Sequence, residues 1–429
     1  MSNQVHAQSS MAYQTAAEAS VQAGDLRSIR PIPRITVHAF CETEIVAQTI
    51  DMTARDRRVH RAQVKVLMGS ISAAVEYYQA APTPNLIILE TRLIGADLLA
   101  SLGRLAEVCD VDTRVIVIGH SNDIGVYREL IANGVSDYLA VPIAMADLMN
   151  AMTDIFVDPE KGPIGKLIAF IGAKGGSGSS TICHNVAWAV SSLYRNDVIL
   201  ADMDLAFGTA NINLDQDPPQ GIAEAVYSPD RMDETLLDRL LVKCAEHLNL
   251  LAAPSTLDRT YDFEKESFSG VLEVAQRSSP TVVADLPHQW GAWTKNTLKI
   301  ADEVVITACP ELANLRNTKS LLDNLAEIRP NDAPPRLILN QVGVPKRPEI
   351  SVHDFISPLN VQPSAIIPFE PALFGMAANN GQMISEADPN NPIGENFEFL
   401  AQLLTGKAEL RTEKVGPLEF ISKLKRKLA

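Results

Sequence analysis

Apolar residues in this chain come in short runs bounded by polar or turn-forming residues, and the stretches between the runs carry apolar positions at helical spacing. Such a rhythm predicts strands alternating with helices. In the first part of the chain the strand candidates are Ile35 to Phe40, Val64 to Leu67, Leu86 to Leu89, Val115 to Ile118 and Tyr138 to Leu139. In the second part they are Leu167 to Ile171, Val198 to Met203, Leu248 to Leu251, Thr281 to Ala284, Glu303 to Thr307, Arg336 to Leu339 and Ala365 to Ile367. This alternation closes into parallel sheets joined by right-handed crossovers. The expected fold class is therefore α/β, with two doubly wound parallel-sheet domains. Between them Asp158-Pro-Glu-Lys-Gly-Pro163 is polar and turn-rich and reads as a linker.

Composition narrows the class. A length of 429 residues suffices for two or three domains with ordinary cores. No apolar run approaches the roughly 18 to 20 residues that span a bilayer, and the N-terminus lacks a basic-then-apolar leader, so a cytoplasmic location is expected. Cys41, Cys109, Cys183, Cys244 and Cys309 are far apart with no C-x-x-C, which argues for reduced thiols and against disulfides or zinc. A net charge of −15 opposes nonspecific nucleic-acid binding, because phosphate contacts need a basic surface. Residues 1–33 are rich in Ala, Gln and Ser, end in Pro31 and Pro33, and read as a disordered arm.

The candidate chemistry sits after the strand Leu167 to Ile171. Phe170-Ile-Gly-Ala-Lys-Gly-Gly-Ser-Gly-Ser-Ser-Thr181 is a glycine-rich loop leading into a helical pattern. Gly175, Gly176 and Gly178 allow a tight turn that aims amide hydrogens and a helix N-terminus at one anion. Against the pattern G-x-x-x-x-G-K-[ST], Ser180 supplies the hydroxyl that reaches Mg²⁺, but Ser179 stands where the lysine belongs. That replacement removes a positive charge from the β- and γ-phosphates and casts doubt on fast phosphoryl transfer. Asp202 and Asp204 end one apolar strand and Asp285 another, at the carboxyl edge where open α/β sheets bind ligands. A phosphate loop with strand-end acids is what a Mg-nucleotide site requires.

Lys174-Gly-Gly-Ser-Gly-Ser-Ser-Thr181, Asp202-Met-Asp204 and Asp285-Leu-Pro287 resemble the deviant Walker A, switch I and switch II segments of the MinD/ParA ATPase superfamily. Within it the chain resembles the CpaE/TadZ pilus-assembly proteins, over roughly residues 35 to 400. The resemblance implies ATP and Mg²⁺ as ligands, with Gly175, Gly176, Ser177, Gly178, Ser179, Ser180 and Thr181 around the phosphates. It makes Lys174 the signature lysine that crosses a homodimer interface to the partner's nucleotide, and Asp204 the switch I acid that positions water. Ser180, Asp202 and Asp285 would serve the metal, and Asn340 the adenine.

The front of the chain resembles a response-regulator receiver, most closely in Pro84-Asn-Leu-Ile-Ile-Leu-Glu90 and Asn133-Gly-Val-Ser-Asp-Tyr-Leu-Ala-Val-Pro-Ile143. In that comparison Glu90 replaces the phosphoacceptor aspartate, Gly119 the hydroxyl residue and Val141 the lysine. The resemblance thus implies a flavodoxin-like pseudo-receiver that binds a partner or its own copy and is not phosphorylated.

The resulting organisation is an arm (1–33), a receiver-like domain (34–155), a linker (156–165), a MinD/ParA-like nucleotide-binding domain (166–405) and a tail (406–429). From residue 407 the tail holds seven basic residues (Lys407, Arg411, Lys414, Lys423, Lys425, Arg426 and Lys427) against three acidic ones (Glu409, Glu413 and Glu419). Leu418, Ile421, Leu424 and Leu428 share one helical face. That pattern suits either an anionic membrane surface or a protein partner. Two functions follow from the resemblance: an ATP-dependent dimerising scaffold for pilus and secretion machinery with slow or no hydrolysis, or a working ATPase cycling on and off a membrane or partner.

Overall fold

All six residues of Leu86–Thr91 are buried, as a parallel strand covered on both faces must be. This strand (β3) is the centre of a sheet formed with β1 (Thr36–Cys41), β2 (Gln63–Met68), β4 (Arg114–Gly119) and β5 (Asp137–Ala140). The order is β2-β1-β3-β4-β5, every pair is parallel, and helices form the crossovers. This is the expected flavodoxin-like order. The computed structural model describes residue 26 and residues 29–157, 164–257 and 259–408.

Two apolar cores pack on the faces of this sheet. Leu26, Ile29 and Ile32 are buried with the first of them, so packed structure begins inside the stretch expected to be a disordered arm. Each such buried side chain contributes about 1.5–3 kcal/mol, enough to offset the cost of ordering its own residue. The rest of that arm, the centre of the linker and the tail from residue 409 onward lie outside the described residues.

The second sheet contains β6 (Lys166–Gly172), β7 (Val198–Asp202), β8 (Val242–Ala245), β9 (Leu248–Leu251), β10 (Thr281–Leu286), β11 (Glu303–Ala308), β12 (Arg336–Val342) and β13 (Pro363–Pro368). Their order is β13-β12-β11-β6-β10-β7-β9-β8. All pairs are parallel except β8 with β9. Sequence patterning misses β8, a four-residue edge strand with no fully buried position. The helix Ser179–Tyr194 buries Ile182, Cys183, Val186, Ala187 and Val190 against the sheet and against the helix Pro392–Leu404, which contributes Phe397, Leu400, Ala401 and Leu404. That packing fixes the glycine-rich loop at the carboxyl end of β6.

By contact the chain divides into two units. One runs to Ile164 and takes in Leu298–Ile300 and Leu322–Pro334; the other holds the remainder, including both acid-tipped strands and the loop. Among the described residues no helix is long and apolar enough to cross a membrane.

Candidate functional site

After β6 the backbone turns through Ala173–Gly178 and enters the helix at Ser179. Gly176 (φ +83°) and Gly178 (φ +82°) take left-handed conformations open to glycine. A Cβ on Gly178 would also stand 2.4 Å from Asn340 Nδ2. Side chains from elsewhere hold the loop by its carbonyls. Asn340 Nδ2 donates to Ser177 O at 2.8 Å, Gln341 Nε2 to Gly176 O at 3.0 Å, and Asn317 Nδ2 to Ala173 O at 2.8 Å. His288 Nδ1 lies 2.9 Å from Gly172 O. With these carbonyls occupied, the amides of Gly176, Gly178, Ser179 and Ser180 donate to nothing among the described residues. Such amides, together with the helix dipole, suit an anion.

Ser177 and Ser179 are buried beneath the turn. Ser179 Oγ has no hydrogen-bond partner among the described residues. Lys174 is at the rim, with its side chain half exposed and its Nζ 3.3 Å from Glu311 Oε2. Glu311 also receives Asn314 Nδ2 at 3.2 Å and an Arg347 guanidinium nitrogen at 3.4 Å.

β7 and β10 are adjacent, and their register places Asp202 directly beside Asp285. Both are buried. Asp202 accepts from Asp204 N at 3.2 Å and from Ala210 N at 3.0 Å. Gly208 lets the chain pass this close, since a Cβ there would sit 2.4 and 2.5 Å from the two Asp202 oxygens. Burial, and secondarily the Asp285 charge, push Asp202 up to about 7, against the opposing pull of His184 and the two amides. Asp204, half-buried and accepting from Phe207 N at 3.1 Å, is also raised, chiefly by burial. Asp285 Oδ1 has no hydrogen bond. Two adjacent buried carboxylates with an unused oxygen, and with no lysine or arginine paired to them among the described residues, suit a hard divalent cation held through oxygen ligands. The chain's residues thus fit Mg²⁺ as well as phosphate.

Beside the helix start is a cavity of 170 Å³ lined by Gly178, Thr181, Asn340, Gln341, Pro368, Phe369 and Phe374, among others. Its apolar walls and amide-bearing rim suit a flat heteroaromatic base. Asn340, expected to meet a base, lines this cavity, although its amide nitrogen is already given to the loop. Loop, acids and Asn340 converge within one unit. Sequence reasoning passed over Gln341, Asn317, Glu311 and His184. Of these only His184 carried a signal, as a histidine inside the helical pattern that follows the loop.

Residues 165–337 match the family described as an AAA domain. Over 257 residues, 56% of this chain and 90% of the relative, the chain is 26% identical to the septum site-determining protein MinD of Synechocystis. A ParA family ATPase from Chlorobium tepidum shares the fold, with a TM-score of 0.51 and 24% identity over 56% of this chain and 98% of that one. The pilus assembly protein CpaE of Caulobacter crescentus is 45% identical over 30% of this chain and 98% of that one, with a TM-score of 0.30. Identity at that level over nearly the whole of the relative places the chain in a family: it belongs to the CpaE-type pilus assembly proteins of the MinD/ParA superfamily.

Proposed function

We propose that this chain binds ATP with Mg²⁺ and dimerises around it as a scaffold that localises pilus and secretion machinery, with slow or absent hydrolysis. The observation that carries this reading is Ser179: a buried hydroxyl without a partner at the lysine position, inside a cradle of free amides. Amides and the helix N-terminus supply affinity for the phosphates, Ser180, Asp202 and Asp285 serve the metal, and Asn340 borders the base. Mg²⁺ would supply the positive charge that this chain does not place there in cis. Lys174 stands on the rim, where it can leave Glu311 and reach a second copy's nucleotide. A surface ion pair of this kind holds it by no more than about 1 kcal/mol. The basic tail from residue 407 is the part of the chain that would meet a membrane surface or the machinery itself.

Equilibrium titration with a fluorescent ATP analogue tests the reading. Saturable, Mg²⁺-dependent binding with little phosphate release supports the scaffold. Phosphate release that is lost in Asp204→Ala would favour the cycling ATPase, and no binding at millimolar analogue would end both.

A further inference from the structure

His184 lies one turn beyond Ser180 on the helix Ser179–Tyr194 and is fully buried. Nothing in the proposed site uses it, yet an imidazole is costly to bury unless its nitrogens are answered. Its Nδ1 lies 3.1 Å from Asn213 Nδ2. An amide nitrogen only donates, so Nδ1 accepts, which leaves the ring N–H on Nε2. That nitrogen faces Asp285 Oδ2 at 3.3 Å. The approach is off the line of a hydrogen bond, and Nε2 and Asp285 Oδ1 both remain without one. A buried donor and a buried carboxylate thus face each other with the bond between them unmade, which is unfavourable for both groups.

The contacts form a closed path. Asn213 ends the helix Ala210–Asn213. The first amide of that helix, Ala210 N, donates to Asp202 Oδ2, and Asp202 stands beside Asp285 across the β7–β10 register. Among the described residues no lysine or arginine pairs with the Asp285 carboxylate, and His184 is the side chain that faces it.

Resting on the reading of this site as one for Mg-nucleotide, we propose that His184 is the positioning residue that orients the Asp285 carboxylate for the metal and couples it to the segment Asp204–Asn213. Asn213 fixes the ring tautomer. A small rotation of the Asp285 carboxylate toward the metal would bring Oδ2 into line with Nε2–H and complete that bond, leaving Oδ1 available. Movement of the Asp204–Asn213 segment would be felt at Asp285 because Asn213 holds one end of a rigid ring whose other end faces that carboxylate.

The test compares the native chain with His184→Leu, which keeps volume but has no polar atom, and His184→Gln, which keeps a donor toward Asp285. Binding of a fluorescent ATP analogue is titrated with Mg²⁺ and again in EDTA. Loss of the orienting contact predicts that His184→Leu raises the half-saturating Mg²⁺ by about tenfold or more, that His184→Gln recovers most of it, and that affinity in EDTA is the same for all three. Equal Mg²⁺ dependence in native and His184→Leu chains overturns the proposal, as does a His184→Gln chain no better than His184→Leu, or parallel losses with and without Mg²⁺. If His184→Leu does not fold, Asn213→Ala decides: a Mg²⁺ requirement unchanged from native overturns it. A native chain with no saturable Mg²⁺-dependent binding overturns the nucleotide site itself, and this role with it.

Discussion

Asn340 Nδ2 donates to Ser177 O at 2.8 Å and joins the tip of β12 to the floor of the glycine-rich loop. The residue is buried, so this bond is shielded from water and the loop has little freedom to turn its carbonyl inward. Asn340→Ala leaves Ser177 O without its partner, at a cost of about 1–3 kcal/mol. Urea unfolding of the second unit should show that loss. Nucleotide affinity should fall with it, because a carbonyl free to rotate inward repels phosphate. An Asn340→Ala chain with native stability would show that the loop does not depend on this bond.

Gly208 tests how closely the chain must pass Asp202. The added Cβ in Gly208→Ala would meet both carboxylate oxygens at 2.4–2.5 Å and Ala253 Cβ at 2.6 Å. Overpacking of this kind costs about 1–3 kcal/mol. Because Ala210 N also bonds Asp202, the displacement moves the segment that carries Asp204. The expected result is a lower unfolding midpoint with an unchanged denaturant slope. A midpoint equal to the native one contradicts the close-passage argument.

The proton affinity of Asp202 gives the second unit a pH signature. Burial and the neighbouring Asp285 raise this carboxyl from an ordinary 3.8 to about 7. A group that holds its proton more tightly when folded contributes stability that is fully present below its unfolded pKa and is lost as pH rises through the folded value. Without metal, this contribution should decline from about pH 4 to about pH 7 and level off above. Asp202→Asn cannot ionise and should flatten that part of the profile. Identical slopes in native and Asp202→Asn chains over this interval would contradict the assignment.

The strands that carry the site were legible because parallel strands buried on both faces must be apolar throughout, and the acids stand out where those runs end at Asp202 and Asp285. The loop was legible because Gly176 and Gly178 occupy backbone conformations that few other residues adopt. What holds the loop was not. Asn317 and Gln341 act across more than a hundred residues of sequence, and a lone polar residue within a helix or at a strand end has many ordinary uses. β8 escaped notice because an antiparallel edge strand of four half-exposed residues has neither the apolar run nor the alternation that marks a strand. The same limit hid the packing of Leu26 and Ile29, since two apolar residues set among polar ones carry no period.

In the first unit Gly119 and Tyr138 exclude each other's alternatives. A Cβ on Gly119 would lie 2.1 Å from the Tyr138 hydroxyl oxygen and 2.5 Å from its ring. Tyr138 in turn is buried and donates to Ser121 O at 2.6 Å. Gly119→Thr, which installs a hydroxyl at the end of β4, should therefore destabilise the unit by about 1–3 kcal/mol. Tyr138→Ala in the same chain should relieve most of that added cost, giving a non-additive cycle. Additive losses in urea unfolding would show that the two side chains do not compete for one space.

Glu90 occupies the position at the end of β3 where the receiver resemblance places a phosphoacceptor, and its carboxylate is fully engaged. Oε2 accepts from Glu42 N and Thr43 N, each at 2.8 Å, and Oε1 accepts from Thr43 Oγ1 at 2.7 Å, with His120 Nε2 at 3.2 Å. The residue is 1% exposed. An anion site built from two amides, a hydroxyl and an imidazole is thus filled by the chain's own side chain. The neighbouring Cys41 thiol registers the same surroundings, pushed up to about 12 by burial first and by Glu90 second. Glu90→Ala leaves those donors facing an empty space the size of a carboxylate, and should cost about 2–3 kcal/mol by urea unfolding. Acetate or phosphate at tens of millimolar should restore part of the loss in Glu90→Ala and do nothing for the native chain, because only the variant has donors to offer. If neither anion restores Glu90→Ala beyond the effect of chloride at equal ionic strength, the pocket collapses once the side chain is removed and Glu90 acts by filling space.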